Sequence, residues 1–189
     1  MHIKRIHNGP RTQRVATPHF VTDIGKAQPE IERRFFIESI PPNLNRYPHE
    51  KITQGYLPSV DGTSIRLRKI KNKYYQTIKI DTERDDERME TEVEIPEKLF
   101  ERLWPLTKGK RLTKTRYEIP YNGKIIELDV YHKKLDGLVT VEVEFDTEEE
   151  CKHFKPPAWF GRELTGNKKY TNKSLAIHGI PKNTTLFRL

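Results

Sequence analysis

Apolar and charged residues alternate with a period of two through most of the chain between residues 30 and 145. In a strand, that period sends successive side chains to opposite faces. It predicts eight strands, at residues 30–37, 51–57, 64–70, 74–80, 90–95, 110–119, 124–132 and 138–145. Turn signals at Val60-Asp61-Gly62, Lys71-Asn72-Lys73, Tyr121-Asn122-Gly123 and Leu135-Asp136-Gly137 make the connections short, so neighbouring strands are antiparallel. Pro41-Pro42-Asn43 breaks the first strand, a short helix or loop covers 42–49, and the charged stretch 81–89 is expected as a solvated loop. Three short helices are expected. Pro96 opens one at 96–104 with Leu99, Phe100, Leu103 and Trp104 on one side. Asp146-Thr147 starts another, whose Glu148, Glu149 and Glu150 suit the positive end of the helix dipole. The third spans 172–177. The fold class is mainly β (α+β). The strands could form an open sheet with its charged face in water, or a barrel with that face turned inward and room for one small ligand.

The charged face holds paired acids. Glu30 and Glu32, Glu92 and Glu94, Glu127 and Asp129, and Glu142 and Glu144 each stand two apart, and Asp85-Asp86-Glu87 is a looser fifth run. Arg66 with Arg68, and Lys114 with Arg116, follow the same spacing. Taken singly, any such pair is an ordinary solvated face. Taken together, like charges on adjacent strands need compensation from bases or from a metal. Hard cations such as Mg2+ take carboxylates and phosphate oxygens, and Arg and Lys hold phosphate. A sheet face with both signs therefore suits a divalent metal and a polyanion together.

Composition narrows the classes. Net charge is +8, and the first 29 residues carry five bases against one acid. That balance favours anionic partners without choosing among them. Residues 1–27 lack apolar periodicity and are expected as a basic extension with little structure of its own, ahead of a single domain over 28–189. One cysteine, Cys151, excludes an internal disulfide. With no membrane-length apolar run and no signal-peptide pattern, a cytoplasmic setting is expected and a membrane partner is not. Scattered histidines and the single cysteine argue against zinc. There is no glycine-rich phosphate loop and no Gly-x-Ser-x-Gly turn.

The run Glu30-Ile31-Glu32-Arg33-Arg34 resembles the Glu-x-Glu-x-Lys signature that opens the CYTH superfamily, the triphosphate tunnel metalloenzymes. The order of later motifs strengthens the resemblance: Gly55-Tyr56-Leu57, Arg66-Leu67-Arg68, Thr77-Ile78-Lys79, Glu92-Val93-Glu94, Lys114-Thr115-Arg116, Glu127-Leu128-Asp129, Glu142-Val143-Glu144 and Tyr170-Thr171-Asn172-Lys173. It covers about residues 28–181.

The resemblance implies an eight-stranded antiparallel tunnel binding a triphosphate and Mg2+ or Mn2+. It implies metal ligands at Glu30, Glu32, Glu142 and Glu144, and a phosphate clamp of Arg34, Arg66, Arg68, Lys79, Lys114 and Arg116. Glu92, Glu94, Glu127 and Asp129 would line the tunnel, and Tyr56 with Lys114 would position or deprotonate the attacking water. Arg34 replaces the signature lysine, and a planar guanidinium is not equivalent to an ammonium at a tight site. The implied activity is metal-dependent hydrolysis of inorganic triphosphate. Other readings are a class IV adenylate cyclase, a thiamine or nucleoside triphosphatase, or a non-catalytic module for polyphosphate or RNA. Nucleic acid is the less favoured partner, since Tyr74 and Tyr75 are ordinary strand residues. A homodimer through an outer barrel face is compatible with the sequence.

Overall fold

The computed structural model describes residues 28–83 and 87–187, with Gln28 and Glu87 described for the backbone alone. The extension expected over 1–27 lies outside the described residues, as do Asp85 and Asp86 of the fifth acidic run.

Nine strands form among the described residues: β1 Gln28–Ile37, β2 His49–Tyr56, β3 Thr63–Ile70, β4 Lys73–Asp81, β5 Glu87–Glu94, β6 Arg111–Tyr121, β7 Lys124–Tyr131, β8 Val139–Phe145 and β9 Phe160–Glu163. Among the described residues three α-helices accompany them: α1 Glu97–Leu103, α2 Glu148–His153 and α3 Asn172–His178. The order β5-β4-β3-β2-β6-β7-β8-β1 closes on itself because β1 also pairs with β5. All pairings are antiparallel, so the first eight strands make a closed barrel. Short β9 pairs with the far end of β1, beyond the stretch that β5 covers.

Most connections are the tight turns that the sequence signals. Asn122 and Gly123 both take positive φ, 48° and 79°, as a two-residue β-hairpin between right-twisted strands requires. The stretch 81–89 is the main correction. Residues Glu87, Arg88 and Met89 belong to β5 rather than to a loop, with Arg88 opposite both Asp81 and Glu30. The charge of Arg88 masks a strand because its face, shared with Glu90 and Glu92, is the barrel interior. β9 has only four residues and no alternation long enough to announce it.

The outward apolar residues bury themselves in two places. Ile31, Phe35, Ile126, Leu128, Val141 and Val143 pack beneath Cys151 of α2 and beneath Phe154 and Phe160. Leu67 and Tyr74 pack beneath Phe100 of α1, with the Tyr74 and Phe100 rings 4.8 Å apart. A third cluster sits at one end of the barrel. Inward-facing Phe36, Tyr56 and Tyr131 meet Leu175 and Ala176 of α3 there, so this helix caps that end. The Tyr131 hydroxyl donates to Asn172 Oδ1 at 2.7 Å, and the Lys134 ammonium donates to the Ala176 carbonyl. No helix among the described residues is long and apolar enough to cross a membrane.

Candidate active site

Register decides which side chains meet inside the barrel. Glu32 stands opposite Glu144 and Arg34 opposite Glu142 on the β1–β8 seam. Arg66 faces Thr77, which faces Glu92, across β3, β4 and β5. Lys79 faces Glu90, and Arg116 faces both Glu50 and Asp129. Because the side-chain period is two, one correct register places every second residue of eight strands in one interior. The resulting cavity has a volume of about 260 Å3 and is lined by charged side chains and Asn172.

Cations and acids alternate around this wall. Lys79 bonds to Glu30 and lies 2.6 Å from Glu90. Arg68 pairs with Glu92, which also receives the Thr77 hydroxyl at 2.5 Å and Arg66 at 3.3 Å. Arg34 contacts Glu142 at 2.7 Å and Glu32 at 3.1 Å, and donates to the Tyr170 carbonyl at 2.9 Å. Arg116 spans Asp129 at 2.7 Å, Glu142 at 2.8 Å and Glu127. The pairing is incomplete on the donor side: the buried Nε atoms of Arg34 and Arg68 have no hydrogen-bond partner. Buried unpartnered guanidinium donors are costly unless an anion meets them.

Electrostatics separate the acids into two groups. Burial opposes ionisation of Glu142, but Arg34, Lys114 and Arg116 prevail and hold it well below the usual carboxylate range. Glu92 is also lowered, by Arg68 and Thr77 against burial. Glu144 behaves oppositely. Burial, then Glu127 and Glu30, push its carboxyl up to about 7. Glu30 is raised too, by burial against the pull of Lys79, with Glu90 adding to the rise. Glu30, Glu32 and Glu144 thus share one part of the wall where negative charge is in excess.

Several expected site residues take different places. Glu142, expected among the metal ligands, lies between the guanidinium groups of Arg34 and Arg116. Glu94, expected inside the tunnel, is exposed and pairs with Lys73 at 3.1 Å, because β5 runs past the rim there. Asp129 is fully buried behind the cavity wall, bonded to Lys114 and Arg116. Lys114, expected in the clamp and beside Tyr56, is 1% exposed and spends its charge on Asp129. Burial and then Arg116 lower its ammonium to about 8. Tyr56 bonds to Gln54 and borders a second pocket of about 190 Å3 at the α3 end, with Arg66, Lys79, Arg88 and Lys173. Glu90, Gln54 and Arg88 face the interior without having been singled out. Glu90 extends the alternation of Glu92 by two residues, and that was its available signal.

A model of the CYTH domain matches residues 28–174. The chain belongs to the CYTH family. The CYTH barrel is similar to an inorganic triphosphatase of Nitrosomonas europaea, with 42% identity over 152 residues, 78% of this chain and 97% of that protein. An inorganic triphosphatase of Acetivibrio thermocellus is 36% identical over 123 residues, 65% of this chain and 77% of that one. The crystal structure of an inorganic triphosphatase matches with a TM-score of 0.59 at 39% identity, covering 78% of this chain and 94% of that one.

The donor set fits the divalent ion that CYTH enzymes use. Glu30, Glu32 and Glu144 offer only hard carboxylate oxygens, which suit Mg2+ or Mn2+ rather than zinc. Burial first, and then the neighbouring acids Glu127 and Glu30, raise the Glu144 carboxyl. Among the described residues no three such side chains converge to ligating distance as they stand. Glu30 is drawn instead onto Lys79.

Proposed function

We propose that this CYTH protein hydrolyses inorganic triphosphate to pyrophosphate and phosphate. The observation that carries the proposal is the closed barrel interior, in which Arg34, Arg66, Arg68, Lys79 and Arg116 surround a small charged cavity. Seven glutamates share that wall, so the cavity has the size for a compact polyanion and, with a divalent ion on the acids, the charge for one. It offers no apolar wall of the kind a nucleobase would stack on.

Each group has a chemical part. Arg34 and Arg68, with unpartnered Nε–H donors, clamp phosphoryl oxygens, and Arg66 and Lys79 add charge between the cavity and its α3 end. Glu142, Asp129 and Glu92 hold the guanidinium groups in place. Glu30, Glu32 and Glu144 would hold Mg2+ or Mn2+. When bound, that ion neutralises charge on the phosphates and acidifies water. Water oxygen attacks a terminal phosphorus, the bridging P–O bond breaks with its electron pair leaving on pyrophosphate, and the proton lost by the water passes to solvent or to that pyrophosphate. The fixed cations stabilise charge on the transferring group without reorganising. The cytoplasmic setting expected from the lone cysteine is part of the same reading.

The test is product analysis of purified protein with inorganic triphosphate, ATP and thiamine triphosphate, each with Mg2+ and with Mn2+. Metal-dependent phosphate release, greatest from inorganic triphosphate, is the expected result. Cyclic AMP and pyrophosphate from ATP would identify a cyclase. Tight triphosphate binding without turnover would identify a binding module.

A further inference from the structure

Gln54 is fully buried in β2, its side chain inside the barrel, where its register partners are Arg68 and Leu112. Its amide nitrogen donates to the Tyr56 hydroxyl oxygen at 2.7 Å. Its carbonyl oxygen has no hydrogen-bond partner. Leucine is nearly the same size and would remove the unpartnered carbonyl oxygen, so the one thing glutamine adds here is its contact with the Tyr56 hydroxyl.

Tyr56 supplies the reason. Its ring packs in the apolar cluster beneath α3, while the residue borders the pocket that Arg66 and Lys79 share with the central cavity. A phenol has one proton and a lone-pair face. With an amide N–H on the oxygen, the hydroxyl proton is turned away from Gln54. Burial keeps the phenol neutral, although Arg66 and Lys79 pull the other way. A neutral hydroxyl beside two cations can donate to an anion, and it is a poor base for water.

We propose that Gln54 is a positioning residue that fixes the Tyr56 hydroxyl as a hydrogen-bond donor to a phosphoryl oxygen of the bound substrate. The inference rests on the triphosphatase reading. It changes the part expected of Tyr56, which gives a proton to a hydrogen bond and does not take one from water. Gln54 and Tyr56 stand two apart on one strand face, so the pair is built into the strand and needs no motion of the helix.

The test is a double-mutant cycle with Gln54→Leu and Tyr56→Phe, read by kcat and KM for inorganic triphosphate and by thermal melting. Expected are a fall in kcat of about tenfold for Gln54→Leu, equal to one hydrogen bond, and a melting temperature unchanged or higher. In the Tyr56→Phe background the same substitution should cost nothing further. A full additional loss there, or wild-type kcat in Gln54→Leu, overturns the proposal, because Gln54 would not be acting through the hydroxyl. A melting temperature that falls in step with activity also overturns it, as the role would then be structural. Spectrophotometric titration of the Tyr56 phenol, assigned by difference against Tyr56→Phe, reads the pair without turnover. Loss of an N–H donor should raise its midpoint. A fall would mean that the hydroxyl donates to Gln54, and no change would mean no contact, and either overturns the proposal. If the wild type leaves triphosphate intact, the triphosphatase reading fails and the titration alone decides whether Gln54 sets the hydroxyl.

Discussion

Glu144 and Glu142 stand two residues apart on one strand and titrate in opposite directions. Three bases hold Glu142 ionised, whereas Glu144 is raised to about 7 by burial and by neighbouring acids. For Glu144 the folded state holds its proton more tightly than the unfolded chain does. Its contribution therefore favours folding below the ordinary carboxylate range and is lost as pH rises to about 7. Two outcomes follow. Glu144→Gln should melt at a temperature equal to or above wild type at pH 8, yet lose metal-dependent phosphate release by a factor of at least about a hundred. Mg2+ should raise the wild-type melting temperature more at pH 8 than at pH 5.5, because a protonated carboxyl cannot ligate. Equal Mg2+ shifts at both pH values would remove Glu144 from the metal site. Lys114 gives a second pH signature. Its pKa of about 8 lies below that of a free lysine, so the unfolded chain binds more protons between that value and about 10.4. Stability due to this residue should rise across that window, and Lys114→Met should flatten the rise in paired thermal melts.

The elements explain how much of the site was legible. Alternation marked all eight barrel strands, because an inside and an outside of opposite polarity require it. Acid pairs at i, i+2 spacing likewise marked the wall. Polarity could not say where along a strand the barrel ends. Glu94 and Glu92 look alike in the sequence, and only the stagger of β5 against β1, whose pairing ends at Glu90, leaves Glu94 exposed. Nor could spacing tell Asp129, buried behind Lys114, from Glu127, which faces the cavity. The helices depend on close contacts that pattern does not encode. Gly55 of β2 lies under Thr107 and Trp104, and a Cβ there would sit 2.7 Å from Thr107 Cβ. Gly55→Ala should destabilise by about 1–3 kcal/mol in chemical denaturation. Leu175 of α3 is fully buried among Phe36, Tyr56 and Tyr131. Leu175→Ala should cost about 2–5 kcal/mol and also weaken turnover, since it loosens the end of the barrel where Tyr56 sits.

At the scale of the whole molecule, the net charge of +8 and the charged interior play separate parts. Interior cations are largely matched by acids, so the excess acts at a distance, on the approach of an anion. Raising salt from low to physiological strength should lower kcat/KM for triphosphate more than kcat. Barrel closure has a different consequence, in time. Ile31 near the start of the barrel must find Phe145, and Gln28 must find Glu90. The first strand therefore waits about half of synthesis for β5 and most of it for β8, with its edges open until then. A topology built on such distant pairings should fold slowly, and a chain truncated before β8 should aggregate rather than form a smaller barrel.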